Sequence, residues 1–573
     1  MRLPARFVSS LARPLFAAAL AAGAAHAQSL AVLGTSPRAN AVGVARQAPI
    51  TISLSQPVGA GGVGELSVWG QWSGAMPGEV SVDDDGRTVR FRPARPFFAG
   101  EAVTVSLRGP AQHAFAFSAA TARRLAPTYA LGDFVELRRA GEGPIISYGA
   151  TASDLDGDGD SDLAIPNEIP ADVRVLLNRG DGTYGDFAVY PLPDGAYPSP
   201  SAGTDLDGDG AVDLVVGNGE NEMVSVLLGD GQGGFPSVRS FPATGEGVRG
   251  IAVLDADRDG RPDVVSANRN SGSLSYFRGL GDGTFAPPEP MDAGGAGETS
   301  LAVVDLDEDG VLDLLVGALG SREIIALMGD GAGGFTAGAR VSIPGAPWML
   351  AAGDLDGDGH ADVASAGAYG DVIDLVFGDG RGGLRAGASI PSGQFVVAID
   401  AGDLDGDGDL DLVSSNYSSR DFRVFHNDGA GRFTIAETLS IEGRASCAIL
   451  HDRDGDGAVD ISLIDEGDDR LYFVRTTGAT AAEPAPPGRV ALRLMGPNPS
   501  AGAAVELSVA APPGPLRVEV FDALGRRVVR LHDGPSLPSG ASLVWHAGGS
   551  PPGVYVVRAA GPSGAASLRV VRR

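Results

Sequence analysis

The sequence predicts an all-β fold organised around a repeat, and three observations carry that prediction. A nine-residue Asp-rich segment occurs seven times at intervals of 49 to 51 residues, and a fixed period of that size marks propellers and solenoids. Between the copies, short apolar runs alternate with Asp-Gly and Gly-Gly pairs, the pattern of strands joined by hairpins. The two ends of the chain, outside the repeats, also alternate in strand fashion.

The copies open at Asp154, Asp205, Asp255, Asp305, Asp354, Asp403 and Asp452, and each reads D-x-D-x-D-G-x-x-D. Position 3 is Asp156, Asp207, Asp257, Asp307, Asp356, Asp405 and Asp454 in turn; position 5 is Asp158, Asp209, Asp259, Asp309, Asp358, Asp407 and Asp456. Position 9 is Asp162, Asp213, Asp263, Asp313, Asp362, Asp411 and Asp460. Like charges this close repel by on the order of 1 to 4 kcal/mol per pair at surface-like dielectric, so a cation is expected among them. An oxygen-only donor set on a curling loop suits Ca2+ better than Mg2+, which demands a stricter octahedron. Position 6 is Gly throughout, as a sharp turn requires. Position 7 varies freely (Asp160, Ala211, Arg261, Val311, His360, Asp409, Ala458), which fits a ligand supplied by the backbone carbonyl. Side chains at 1, 3, 5 and 9, the carbonyl at 7 and a water would complete each of about seven Ca2+ shells. The loop is not an EF-hand: position 12 of the first copy is Ile165, not Glu, and strand-like sequence follows.

This unit resembles the FG-GAP or VCBS repeat, the blade of integrin-alpha-type propellers, over roughly residues 124 to 478. The resemblance implies a seven-bladed β-propeller, assigned to residues 123–478, with Ca2+ in the loop joining the first two strands of each blade. It implies no single function.

Taken in order, residues 1–27 carry Arg2, Arg6 and Arg13, an apolar run from Leu15 to Ala25 and an Ala-His-Ala ending, which together form an export signal. Residues 28–122 alternate as strands, as in Ile50-Thr-Ile-Ser-Leu and Val103-Thr-Val-Ser-Leu. With Thr35-Ser-Pro-Arg-Ala-Asn40 and Gln56-Pro-Val58 they resemble the bacterial Ig-like modules of surface-layer type. Gly59-Ala-Gly-Gly-Val-Gly64 spells a dinucleotide fingerprint but lacks a βαβ context and reads as a loop; the same pattern at Gly229, Gly329 and Gly378 reads as hairpin turns.

A repeat thus reads strand, Asp loop, strand, short loop, strand, glycine hairpin, strand, which is the content of a propeller blade. After the seventh loop, Leu471-Tyr-Phe-Val-Arg475 supplies a third strand but no fourth follows. The missing strand lies ahead of the first loop, where Leu131–Gly143 parallels Gly233–Gly247. The N-terminal strand is therefore expected to complete the last blade and remove open sheet edges.

Residues 479–490 are a Pro-rich linker. Residues 491–573 show strands at Val505–Val509, Leu516–Phe521, Ser542–Trp545 and Gly553–Arg558. Pro497-Asn-Pro499, Asp522-Ala-Leu-Gly-Arg526, Leu537-Pro-Ser-Gly540 and Gly553-Val-Tyr555 resemble the type A C-terminal sorting domain of the type IX secretion system, itself Ig-like. The expected architecture is accordingly all-β, a seven-bladed β-propeller flanked by two Ig-like β-sandwich domains.

Charge and motif content bound the function. The net charge of -29 gives no electrostatic case for nucleic acid, and no apolar run after the leader approaches the ~20 residues of a membrane span. Cys447 falls in a predicted inner strand, where a buried thiol acts as a small apolar filler. No H-E-x-x-H or G-x-S-x-G occurs, and carboxylates held ionised by a cation carry protons poorly, so no catalytic residues are assigned. The expectation is a secreted or cell-surface monomer that binds an extracellular protein or glycan and is exported by the type IX machinery. The alternative is an extracellular enzyme or enzyme subunit acting on polysaccharide. A cluster of non-repeat His, Glu, Lys or Tyr at one mouth of the channel would favour the enzyme, and exposed aromatics without ionisable partners would favour binding.

Overall fold

A computed structural model describes residues 30–58, 64–480 and, beyond them, 491–494, 504–510, 515–522, 526–535, 542–547, 550–561 and 564–572. The export signal, most of the Gly59–Gly64 stretch, residues 481–490 and the Pro497–Pro499 and Leu537–Gly540 pieces lie outside the described residues. Among those described, every regular element is a strand.

Each repeat forms its own four-stranded antiparallel sheet, and there are seven such sheets in residues 124–480. Their first strands, such as Val248–Leu254 and Glu298–Val304, lie side by side, and the first sheet's Thr151–Ser153 also meets the last sheet's Ala445–His451, so the series closes into a ring. All seven second strands begin at the position-9 Asp and are buried on both faces, as in Asp213–Asn218 and Asp313–Ala318. This explains their near-continuous apolar runs: each is sandwiched between the neighbouring sheets and has no solvent face to make polar. Apolar layers follow one another around the ring, for instance Val265, Leu274 and Tyr276 against Leu314 and Val316, then Leu315 and Ile324 against Val363 and Val376.

The closing sheet is built as the sequence requires. Arg470–Thr480 pairs with Arg124–Glu136, with Arg470 opposite Glu136, Leu471 opposite Val135 and Thr480 opposite Arg124. The third strand therefore runs on to Thr480, into the start of the segment expected to be linker.

The N-terminal module is a two-sheet sandwich, Val32–Ser36, Ile50–Leu54, Thr88–Pro93 and Gly78–Val82 against Gly74–Ala75, Glu65–Gly70, Ala102–Arg108 and His113–Ser118. Ile52, Val89, Val105 and Phe115 fill its core. At the C-terminus, a three-stranded sheet (Ala491–Leu494, Ala504–Ala510, Ser542–His546) and a four-stranded sheet (Arg527–Pro535, Pro515–Asp522, Gly553–Gly561, Gly564–Arg572) enclose Val518, Trp545 and Tyr555.

Candidate metal centres and the covered face of the ring

Every Asp-rich loop connects the first and second strands of its sheet, and the seven loops lie at one end of the ring. Their conformation follows from nested carboxylate-to-backbone bonds that repeat from copy to copy. In the second loop, Asp207 Oδ1 accepts from Asp209 N at 3.3 Å, Asp209 Oδ1 from Ala211 N at 2.8 Å and Asp205 Oδ2 from Gly210 N at 3.0 Å. These short-range bonds hold the chain in a tight curl. Two loop positions take left-handed backbone. Position 6 does so as expected, with φ near +90° at Gly210 and Gly159. Position 4 does so as well: Gly157 and Gly208 are joined by Arg258 and Glu308, both at φ 59°, a strain that glycine avoids.

The carboxylates converge. Ligand atoms of Asp154, Asp156 and Asp162 lie within 4.8 Å of one another, as do those of Asp205, Asp207 and Asp213, of Asp305, Asp307 and Asp313, and of Asp354, Asp356 and Asp362; in the third loop the group is Asp255, Asp257 and Asp259. Position 9 has a second duty that the sequence did not reveal. Asp213 Oδ2 accepts from Leu206 N at 2.8 Å and its Oδ1 from Gly229 N at 2.7 Å; the same pair of bonds recurs at Asp313 with Leu306 and Gly329. That carboxylate thus ties its loop to the hairpin after the third strand, and any ligation uses its remaining lone pairs.

Electrostatics supports a cation at these loops. Burial pushes the Asp213, Asp263 and Asp362 carboxyls up to about 7, and Asp162 and Asp411 up to about 8, with neighbouring Asp side chains adding to the rise. Asp305 and Asp403 at position 1 are likewise held near 7 by burial. Asp255 Oδ1 and Asp305 Oδ1 are buried without a hydrogen-bond partner, which a bound cation would satisfy. The donor set could hold metal ions and is compatible with Ca2+. The position-7 side chain of the fifth loop points elsewhere: His360 Nδ1 sits 2.6 Å from Glu308 Oε1 of the preceding loop.

The N-terminal module covers this face of the ring. Asp154 N donates to Trp72 O at 2.7 Å, Ala114 N to Gly310 O at 2.9 Å, Ala122 N to Gly457 O at 2.6 Å and Arg124 N to Asp405 O at 2.7 Å. Asn40 reaches Gly359 O and Arg108 reaches Asp259 O. Arg95 pairs with Asp154 at 3.1 Å and Arg46 with Asp452 at 3.5 Å, while Arg124 lies 3.4 Å from Asp460. Trp72 and Phe98 are buried in the same apolar layer as Leu404 and Val459 of the ring. Five of the seven loops are therefore bonded to the module; Arg124, which carries the bond to the sixth, belongs to the ring's own closing strand, and the sixth and second loops meet the module through Gly408 beside Gly43 and Val212 beside Gly74. A 630 Å3 chamber remains between them, with Arg108, Trp69, Asp205 and Asp305 in its wall. The loop Trp72–Ser73 is fixed by Glu101, a fully buried carboxylate that accepts from Trp72 N, Ser73 N, Phe98 N and Ser73 Oγ at 2.5 to 3.0 Å.

Comparison with known proteins fits this geometry. A model of the FG-GAP-like repeat matches residues 154–216, 205–266, 255–316, 354–414 and 403–461, each window running from one Asp loop through the next. A bacterial Ig-like domain model matches residues 27–121. The chain carries FG-GAP-like repeats and a bacterial Ig-like domain. Its repeated four-stranded sheets and N-terminal sandwich are consistent with a β-propeller plus an Ig-like domain. No curated protein matches. Among solved structures, it is similar to BBS1N in complex with ARL6DN, soaked with lead (13% identity, 60% of this chain and 96% of the other, TM-score 0.42). A Lactobacillus plantarum protein (16%, 65% and 95%, 0.39) and a functionally unknown protein from Desulfotomaculum acetoxidans (10%, 56% and 92%, 0.35) are also similar. At these scores the likenesses carry no argument about activity. No helix among the described residues is long and apolar enough to cross a membrane.

Cys447 and two histidines of the ring have structural places. Cys447 is buried in Ala445–His451 and burial pushes its thiol up to about 12. His451 is fully buried between Ser161 Oγ at 2.9 Å and Ser462 Oγ at 2.8 Å, and His426 bonds Tyr129 Oη at 2.9 Å.

Proposed function

We propose that this is an exported, Ca2+-loaded seven-bladed propeller that binds an extracellular partner through the face its Ig-like domain leaves open, with the C-terminal sandwich serving as a type IX sorting domain. The observation that carries this reading is the occupancy of one face. Five Asp loops are bonded to the Ig-like domain and the other two lie against it, so Ca2+ there stiffens the ring and its cap and is not presented to a ligand. Loops from every sheet converge at the opposite mouth, the usual place for recognition on a rigid scaffold.

A second reading, an enzyme acting on polysaccharide, draws on Glu466 and Glu168 at that mouth. Burial raises both carboxyls, Glu466 up to about 7, and Tyr417 Oη donates to Glu466 at 2.8 Å. Screening the full chain on glycan and matrix-protein arrays with Ca2+ tests the binding reading; incubating it with the captured ligand and following chain length separates the two. Capture of nothing on either array overturns the first reading, and shortened saccharide products establish the second.

A further inference from the structure

The open mouth is formed by two repeat positions, and their departures from the repeat are informative. Six residues before the first Asp of each loop, four repeats carry Ser, Thr or Val, whereas the other three carry Tyr148, Arg249 and Trp348. These three meet. Trp348 Nε1 donates to Tyr148 Oη at 2.6 Å across 200 residues of chain, and the Arg249 guanidinium lies 5.9 Å from each of the two ring centroids. Below them is a recess of about 150 Å3 floored by Ser446 and Cys447. Six residues after the start of each second strand, Arg269 brings a second guanidinium to 5.6 Å from the Trp348 ring. Tyr369, 56% exposed, stands on the turn after the fifth sheet's second strand at the same mouth.

Charge at this cluster is not balanced side chain by side chain. Arg249 has a long ion pair with Glu168 at 3.6 Å and bonds Ser199 Oγ at 3.0 Å, but its buried Nε has no partner. Arg269 makes one 3.4 Å bond to Asn270 and, among the described residues, no ion pair. Two guanidiniums thus crowd one indole with a single carboxylate, Glu168, within ion-pair distance; Glu220 and Glu466 are near enough to act on them but pair with neither. Forked guanidiniums recognise planar oxyanions bidentately, and the exposed Tyr369 ring, with the half-buried Trp348 beyond it, offers an apolar platform for a sugar ring.

We propose that this mouth binds an acidic saccharide, a uronate residue whose carboxylate bridges Arg249 and Arg269 while its ring lies on Tyr369 and Trp348. The proposal deepens the open-face reading and rests on it. Isothermal calorimetry of the full chain in Ca2+ would compare trimers of galacturonate, glucuronate and mannuronate with the neutral galactose, glucose and mannose trimers. At least one uronate trimer should bind, more tightly than its neutral counterpart by on the order of ten-fold or more, and Arg269→Ala should remove that preference. Tyr369→Ala, at an exposed position that no fold contact requires, should weaken binding of charged and neutral trimers alike, whereas Arg432→Ala, on the outer rim and 80% exposed, should change nothing. Absence of uronate binding, equal affinity for the neutral trimers, or indifference to Arg269→Ala overturns the proposal. An array ligand that is neutral or proteinaceous yet lost in Tyr369→Ala overturns the uronate and leaves the open-face reading standing; array binding indifferent to both variants removes the site altogether.

Discussion

If the loops hold Ca2+ as proposed, withdrawing it should invert the pH dependence of stability. In the metal-free ring the position-9 carboxyls sit well above their ordinary value, at about 7 for Asp213, Asp263 and Asp362 and about 8 for Asp162 and Asp411. A carboxyl raised in the folded state contributes stability that is fully present below its unfolded value and is lost as pH rises through the folded one. Leaving a group such as Asp213 ionised costs on the order of 4 kcal/mol. Several such loops together exceed the roughly 5 to 15 kcal/mol by which a domain is stable, so the metal-free chain at pH 8 must keep protons or unfold. Ca2+ bound as proposed would displace those protons, and its binding would strengthen as pH rises through the same window. Sites of about 0.1 mM affinity add roughly 1.4 kcal/mol each at ~1 mM free Ca2+. Thermal melts at pH 5, 6, 7 and 8 in chelator should therefore show Tm falling with pH, and the same series in Ca2+ should show it level or rising. The gap should be widest at pH 8, and equal Mg2+ should not close it. Parallel curves, or a chelator series that climbs with pH, would refute the reasoning.

Three other outcomes follow from particular contacts. Deleting residues 130–140 removes the part of the closing strand that covers Arg470–Arg475; the product should melt lower and aggregate in light scattering, and an unchanged monodisperse species would contradict the shared sheet. Glu101→Ala orphans three buried N–H groups, a loss of about 3 kcal/mol or more; limited proteolysis should then cut first within residues 30–122 while the ring persists. Deleting residues 491–573 should trap the chain in the periplasm of the native host, and normal surface amounts of the truncated protein would dismiss the sorting role.

Much of the ring could be read from the chain because a repeat states its rule seven times. The Asp loops, the strand after each one and the substitution of an N-terminal strand for the missing last one all follow from register and count, although that strand spans Arg124–Glu136 and not Leu131–Gly143. Position 4 of the loop was legible too: Gly157, Gly208, Gly357, Gly406 and Gly455 hold positive φ, but Arg258 and Glu308 break the pattern in sequence while keeping it in backbone. The cap was not legible. Asn40, Arg46, Arg95 and Arg108 are scattered, unrepeated surface residues of the Ig-like domain, and nothing local says that they face the loops. The mouth lies between these cases. Tyr148, Arg249 and Trp348 are conspicuous once the repeats are aligned on their loops, because bulk stands where the other copies carry small or β-branched side chains, but only the closed ring brings them within bonding distance.

Closure by Arg124–Glu136 also orders events during synthesis and export. This strand is among the first parts of the ring to leave the ribosome or a translocation pore, yet its partner begins at Arg470, more than three hundred residues later. Until then its edge and that of the seventh sheet stay unpaired. Contacts this distant in sequence form slowly, since the intervening chain must be gathered before they contribute. The Ig-like domain emerges earlier still and can fold alone around its own core, but its bonds to Asp452 and Gly457 must wait for the seventh repeat. The ring's final latch is therefore a late checkpoint: a chain cut short before Arg470 keeps a sticky seam, and only the finished one conceals it.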